Sequence, residues 1–184
     1  MFLMYGKRGA EPVLLLPDNR MRPEELIEPL IALEKNYLLL IPVFSPAEGA
    51  ESRAKAMETE LLREYHLHLA GAYGIGSGGQ ALLELLRLGN VYIRGAVVEG
   101  PCGLPDRLDN VRGKLYYWKS AACREAKKEC KELKKIFPEL RTLTMKKLKK
   151  GQTFLSVRPD LMVKQLDKCF RNPTEKKGLF RKKN

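Results

Sequence analysis

The chain contains 184 residues, which is enough for one domain with a sizeable buried core. Its composition, with 44% hydrophobic and 30% charged residues, excludes an intrinsically disordered protein, and apolar runs such as Leu38–Ile41 are too short to cross a bilayer. The net charge of +12 is uneven, because residues 113–184 contain 22 basic and 7 acidic residues whereas residues 1–112 contain 12 and 15. A basic half is typical of a surface that meets an anionic partner, or of a solvated basic face.

Short apolar segments, typical of buried strands, alternate along the chain with longer segments of helical periodicity. The first helix shows the usual signals, with Pro23 at its start and Glu24 and Glu25 in its first turn, where the helix dipole favours carboxylates. The predicted helices cover residues 23–33, 50–64, 80–88, 120–137 and 159–170. The predicted strands cover residues 13–16, 37–43, 66–73, 91–99, 114–119 and 140–148. This alternation predicts an α/β fold, with a mainly parallel sheet covered by helices on both faces.

The domain organisation follows from the same pattern. No internal repeat or long linker divides the chain, so we expect a single domain over residues 1–170 and a basic tail over residues 171–184. The four cysteines have no paired spacing, which favours free thiols in a reducing cytoplasm. With two histidines, His66 and His68, both predicted to be ordinary strand residues, the sequence gives no metal site and no cofactor.

A glycine-rich turn, Gly74–Gly79, connects the third predicted strand to the third predicted helix. As G-x-G-x-x-G, with Glu99 twenty residues after Gly79, it matches a dinucleotide-binding turn, although two strand–helix units precede it. As a G-x-S-x-G nucleophile elbow it is out of register, because Ile75 lies two residues before Ser77. A third interpretation is close strand–helix packing without chemistry. In each case backbone N–H groups at the helix start can hold an anion or ligand. The candidate binding residues are therefore Gly76, Ser77, Gly78 and Gly79.

The segment Tyr73–Gly79 and its following apolar helix resemble the small α/β-hydrolases of gut clostridia, whose turn reads roughly Y-G-I-S-L-G-G. The resemblance covers about residues 11–170 and implies an α/β-hydrolase-like fold. Hydrolases of this kind commonly insert lid helices at a place where this chain has only residues 100–113, so we expect a reduced fold without a lid domain. Further matching segments are Val13–Leu16, Arg22–Tyr37, Leu38–Pro42, Gly95–Gly100, Leu115–Trp118 and Arg158–Asp160.

The resemblance also implies that the catalytic triad is lost. The nucleophile of the family aligns with Gly76, and Ser77 lies one place later. The acid is expected within Lys119–Ala122, which has no carboxylate, and the histidine within Lys150–Gln152, which has no imidazole. The usual His-Gly after the first visible strand is replaced by Pro17-Asp18. A Ser–His mechanism needs an imidazole to accept the serine proton, and in this fold it follows the nucleophile in the chain, whereas both histidines precede the turn.

These observations predict a pseudo-hydrolase, a non-catalytic domain that binds a small molecule or a protein. Two alternatives stay open. One is a weak serine hydrolase or esterase, with Ser77 as the catalytic residue and an unrecognised base. The other is an anion- or nucleic-acid-binding module on the basic C-terminal half, although few aromatic side chains interleave with its lysines to stack bases. The sequence carries no signal for the oligomeric state.

Overall fold

A seven-stranded sheet forms the centre of the fold in the computed structural model, which describes residues 2–45, 48–64, 68–100, 102–146, 148–149 and 152–172. The sheet has the order β1-β3-β2-β5-β7-β8-β9, and β4 and β6 form a separate parallel pair. β1 runs antiparallel to β3, and all other neighbours in the large sheet are parallel. The strands are β1 Phe2–Tyr5, β2 Glu11–Leu16, β3 Tyr37–Pro42, β4 His68–Leu69, β5 Gly71–Ile75, β6 Tyr92–Ile93, β7 Gly95–Glu99, β8 Lys114–Ser120 and β9 Arg141–Met145.

Helices cover both faces of this sheet. Successive residues of a strand point to opposite faces, so Leu14 and Leu16 of β2 enter one core and Val13 and Leu15 enter the other. The first core includes residues of α2, α3 and α4, and the second includes residues of α1, α5 and α6. The helices are α1 Pro23–Leu30, continued by a 3-10 turn Ile31–Lys35, α2 Ala50–Glu64, α3 Ser77–Leu88, α4 Arg124–Ile136, α5 Phe154–Val157 and α6 Pro159–Phe170.

The predicted α/β class, with a mainly parallel sheet covered on both faces, is confirmed. The bounds predicted for the helices at 50–64 and 159–170 are those observed. The helix predicted to start at Ser120 begins instead at Arg124, because Ser120 completes β8 and the Cys123 thiol accepts the N-terminal hydrogen bond from Ala126 N. The strand predicted over 66–73 is divided into β4 and β5, and His66 lies outside the described residues.

The parallel strands bring several loops together at one edge of the sheet. Leu16 is paired with Gly74, Ile75 with Glu99, and Glu99 with Trp118, so β2, β5, β7 and β8 end side by side. Residues 102–113, between β7 and β8, form no helix or strand. None of the described helices is long and apolar enough to cross a membrane. The end of the predicted basic tail, residues 173–184, lies outside the described part of the chain.

Candidate functional site

The turn between β5 and α3 passes through Gly76, whose φ of +53° and ψ of −124° are values that a residue with a side chain rarely adopts. A Cβ atom built on Gly76 would collide with Oδ2 of Asp18, which follows β2. The carboxylate of Asp18 therefore occupies the space in which a side chain at position 76 would begin. This is the position at which the resemblance places the nucleophile.

Asp18 is held in this place by two backbone donors. Its Oδ2 accepts a hydrogen bond from Ser77 N at 2.9 Å, and its Oδ1 accepts one from Arg20 N at 3.1 Å. Because the N-cap residue of α3 is Gly76, Asp18 supplies the capping carboxylate from another part of the chain, at the helix end where the dipole favours negative charge. The N–H of Ser77, which the sequence analysis expected to be free for a ligand, is thus already occupied by a carboxylate of the protein.

The hydroxyl of Ser77 points to the loop after β2. Its Oγ donates to Asn19 Oδ1 at 2.6 Å and accepts from Asn19 N at 2.8 Å. The buried Arg53 of α2 donates to the same Asn19 Oδ1 and to the Ser45 carbonyl oxygen, at 3.1 Å to the latter. Within the described residues no imidazole or carboxylate is hydrogen-bonded to this hydroxyl, so none is placed to take its proton directly.

The other glycines of the turn allow α3 to pack closely against the sheet. A Cβ atom on Gly74 would lie 2.7 Å from the Gly78 carbonyl oxygen, and one on Gly78 would collide with the Leu16 carbonyl oxygen. A Cβ atom on Gly79 would lie 3.0 Å from Cγ1 of Val98. Gly78 and Gly79 therefore face packed protein, whereas Gly76 lines a cavity.

Glu99, at the end of β7, is a buried carboxylate beside the turn. Only 5% of the residue is exposed, and it accepts hydrogen bonds from the Tyr73 hydroxyl at 2.8 Å and from Phe154 N at 2.7 Å. Burial raises the pKa of Glu99, and these two hydrogen bonds act in the opposite direction. Since protein donors already engage this carboxylate, it is not free to bind a ribose as the dinucleotide interpretation requires.

A cavity of about 410 Å³ opens at the carboxyl ends of β5, β7 and β8, against Gly76 and Asp18. Its apolar wall includes Met21 and Ile75. Arg20 and Lys149 supply positive charges to it, and neither forms an ion pair with another described residue. The remaining lining residues are Glu25, Glu99, Gly100, Ser120, Cys123, Gln152 and Thr153.

The resemblance predicts positions for the catalytic acid and the catalytic histidine, and residues at both positions line this cavity. Where the acid is expected, Ser120 is engaged locally: its Oγ accepts from Ala122 N at 3.1 Å and donates to the Leu148 carbonyl oxygen at 3.5 Å. Where the histidine is expected, Gln152 lines the cavity, and residues 150–151 are outside the described residues. His68 is elsewhere, packed against the ring of Tyr92. Among the described residues, no three His, Cys, Asp or Glu side chains are grouped as a metal site would need.

Comparison with known proteins settles the fold. No protein-family model and no curated protein matches the sequence. Solved structures do match: an α/β-hydrolase family protein from Desulfitobacterium hafniense superposes with a TM-score of 0.78 at 12% identity, over 93% of this chain and 100% of that one. The chain has the α/β-hydrolase fold. At such low identity the likeness shows the fold alone, and the clostridial resemblance and the absence of a lid stay predictions.

Two further structures with this fold superpose over similar lengths. One is MGS-MChE2, an α/β hydrolase enzyme from the sediment metagenome of the Mar Chica lagoon, with a TM-score of 0.74, 13% identity and coverage of 96% of this chain and 95% of that one. The other is the Bacillus cereus carboxylesterase, with a TM-score of 0.68, 14% identity and coverage of 91% and 93%. Enzymes with this fold expose their nucleophile on the turn that here contains Gly76.

The position of Asp18 beside the turn is not predicted from the sequence, in which Pro17-Asp18 stands only in place of the His-Gly of the family. A usable signal was present, because Asp18 is a charged residue directly after a buried strand and the glycine turn directly follows another. If β2 and β5 are neighbours in a parallel sheet, their following residues meet at the same edge.

Proposed function

We propose that this chain is a non-catalytic domain of the α/β-hydrolase fold that binds a small ligand in the cavity beside Gly76. The observation that carries the proposal is that the nucleophile position is a glycine and the Asp18 carboxylate fills the adjacent space. Ester hydrolysis on this fold needs a nucleophile, a general base and free N–H groups for the oxyanion. Gly76 supplies no nucleophile, and the Ser77 N–H is occupied by Asp18.

The cavity supports binding of a small molecule. Its volume of about 410 Å³ lies in the range usual for small-molecule sites, and its wall combines apolar side chains with a few charged ones. This lining fits a ligand with an apolar body and one polar group. All four cysteines are free, which supports the cytoplasm as the compartment in which the domain works.

Binding is tested by calorimetric titration with hexanoate, hexanol and hexylamine, which share an apolar body and differ in their polar group. We expect saturable binding of at least one of them and its loss in Met21→Trp, because the larger side chain fills the cavity. The matched control is Met4→Trp, a change at an exposed methionine of β1 that should leave binding intact. If none of the three binds, or if Met21→Trp binds as well as the wild type, the proposed cavity function is wrong.

The absence of catalysis is tested separately with a fluorophosphonate probe and p-nitrophenyl acetate and butyrate. We expect no labelling of the wild type and no ester turnover above that of Ser77→Ala. Labelling of Ser77 that disappears in Ser77→Ala would overturn the non-catalytic assignment and establish the serine hydrolase alternative. Ligand binding measured in the calorimeter stays interpretable in either case, because hexanoate, hexanol and hexylamine contain no ester bond.

A further inference from the structure

The strand β9, Arg141–Met145, ends the sheet on one side. Within the described residues β9 is paired with β8 alone, so the N–H and C=O groups on its outer side are available to another strand. Arg141, Thr142 and Thr144 are exposed, as expected at an edge. An unpaired edge of this kind is the template used when proteins bind an extended peptide by adding it to a sheet.

An apolar groove of about 360 Å³ lies beside this edge, between β9 and the helices α5 and α6. We call it the β9 groove. Val157 of α5 lines it and is 38% exposed. The apolar lining residues are Leu143, Met145, Leu148, Phe154, Val157 and Leu161.

Positive charges surround the β9 groove. Lys146 and Arg158 line it directly, and Arg158 is paired with Asp160 at 3.6 Å. Lys164 and Lys168 are three and seven residues after Leu161 on α6, so helical spacing places them along the same side of the helix as this lining residue. Lys146, Lys164 and Lys168 form no ion pair with any described residue, which leaves the surroundings of the groove with uncompensated positive charge.

We propose that the β9 groove binds an acidic segment of a partner protein in extended conformation. The segment would pair its main chain with β9, place alternate apolar side chains in the groove and place carboxylates at its two ends, near the surrounding lysines. A second copy of this chain fits this face poorly, because a two-fold arrangement would bring the lysines of one copy against those of the other. This surface is separate from the cavity beside Gly76 and does not depend on the function proposed there.

The probe for this site is a fluorescein-labelled peptide of ten residues, called the Glu-Val peptide, in which three Val alternate with Ser at the centre and Glu fills the positions at both ends. Alternate residues of a strand point to opposite faces, so this order directs all three Val to the groove. We expect a saturable rise in fluorescence anisotropy with the full chain and weaker binding at higher salt, since exposed charge pairs are screened by salt. The same peptide with Lys in place of every Glu should not bind. Equal binding of the two peptides, or no saturable binding of the Glu-Val peptide, would overturn the proposal.

Two pairs of variants separate the groove from a general effect of charge. Val157→Glu places a carboxylate in the groove and should weaken binding of the Glu-Val peptide by about tenfold or more. Val43→Glu, at a valine that is 52% exposed beside β3, is the matched control and should bind like the wild type. The double change Lys164→Glu and Lys168→Glu should also weaken binding, whereas Lys127→Glu and Lys128→Glu on α4 should not.

Three results would contradict the proposal even if the Glu-Val peptide binds. One is unchanged binding by Val157→Glu, and another is equal loss in Val43→Glu. The third is a stable dimer of the wild type in sedimentation that Val157→Glu converts to a monomer, which would make a second copy the occupant. Each variant is first checked for folding by circular dichroism and thermal unfolding. If Val157→Glu does not fold, Val157→Lys replaces it. The peptide is then also varied by changing its Glu residues to Gln one at a time, and affinity should fall with each carboxylate removed.

Discussion

At the scale of single residues, the site is arranged around two carboxylates in unlike surroundings. Asp18 lies at the start of α3 and accepts from the backbone N–H groups of Ser77 and Arg20. Glu99 is buried and accepts from Tyr73 and from Phe154 N, the first backbone N–H of α5. Both carboxylates are therefore bonded to the protein itself, and each ties a loop at the carboxyl edge of the sheet to a neighbouring element.

Burial of Glu99 predicts a pH dependence of stability. Because burial raises the pKa of Glu99 above its ordinary value of about 4.5, the folded state binds the proton more tightly than the unfolded state. This contribution to the free energy of unfolding is complete below about pH 4.5 and declines as the pH rises through the folded pKa. The total decline is about 1.4 kcal/mol for each unit by which the pKa of Glu99 in the folded state exceeds that in the unfolded state. In Glu99→Gln, which keeps an acceptor for Phe154 N, we expect the decline to be absent.

Urea unfolding of the wild type and Glu99→Gln at a series of pH values measures this effect. The difference between the two free energies of unfolding should grow in favour of the variant as the pH rises, and then level off. Glu139→Gln, at an exposed carboxylate before β9, is the control and should show the pH dependence of the wild type. Parallel curves for the wild type and Glu99→Gln would mean that Glu99 has the same pKa in both states.

At the scale of elements, the turn from β5 to α3 depends on a contact between distant parts of the chain. Gly76 allows the positive φ, and the absence of a side chain there leaves room for Asp18 to cap the helix. A serine or cysteine at this position would need the space that Asp18 now takes. The glycine at position 76 and the capping carboxylate of Asp18 therefore depend on the same space.

A double-mutant cycle tests this coupling. Asp18→Ala removes a cap and should cost about 0.5–2 kcal/mol of stability. Gly76→Ala should displace the Asp18 carboxylate and lose the same hydrogen bond to Ser77 N, in addition to backbone strain. The cost of Gly76→Ala should therefore be smaller by about 1 kcal/mol or more when Asp18→Ala is already present. The measurement is the free energy of unfolding in urea for the four proteins.

The control cycle combines Asp18→Ala with Gly89→Ala at the other end of α3. Gly89 also has a positive φ, of +78°, but it lies thirteen residues after Gly76, about 20 Å away along the helix. These two changes should be additive within about 0.5 kcal/mol. Additivity of the Asp18 and Gly76 pair to the same extent would show that the carboxylate does not depend on the missing side chain.

Much of this arrangement is encoded locally in the sequence, and the rest depends on tertiary contacts. The bounds of α2 and α6 follow from periodicity, and the glycine at the nucleophile position follows from the resemblance. β1 and α5 have only four residues each, which is too short for a period to be recognised. The contact of Asp18 with Ser77 joins residues 59 apart, and only the adjacency of β2 and β5 reveals it.

At the scale of the whole molecule, the described helices of the C-terminal part carry lysines on both faces of the sheet. The strand order ends in β7-β8-β9, whereas α4 packs on one face of the sheet and α6 packs on the other, over β5 and β7. Among the described residues, Lys146 and Arg158 line the β9 groove, whereas Arg20 and Lys149 line the cavity beside Gly76 at the carboxyl edge. The two linings have no residue in common, which is the reason to treat the β9 groove and the cavity as two sites.

The extent of the domain gives the last prediction. We propose that the folded domain ends with α6, because Phe170 at its end is buried in the core. The ring of Phe170 lies so close to β5 that a Cβ atom on Gly71 would collide with it. The same ring makes an edge contact with Tyr37, at 6.1 Å between ring centroids. Phe170→Ala should cost about 3–5 kcal/mol. A chain ending at residue 172 should unfold in one cooperative thermal transition at the midpoint of the full chain. A lowered midpoint for this shorter chain would mean that residues after 172 contribute to the stability of the core. A loss of less than about 1 kcal/mol in the free energy of unfolding of Phe170→Ala would mean that α6 is not an essential part of the core.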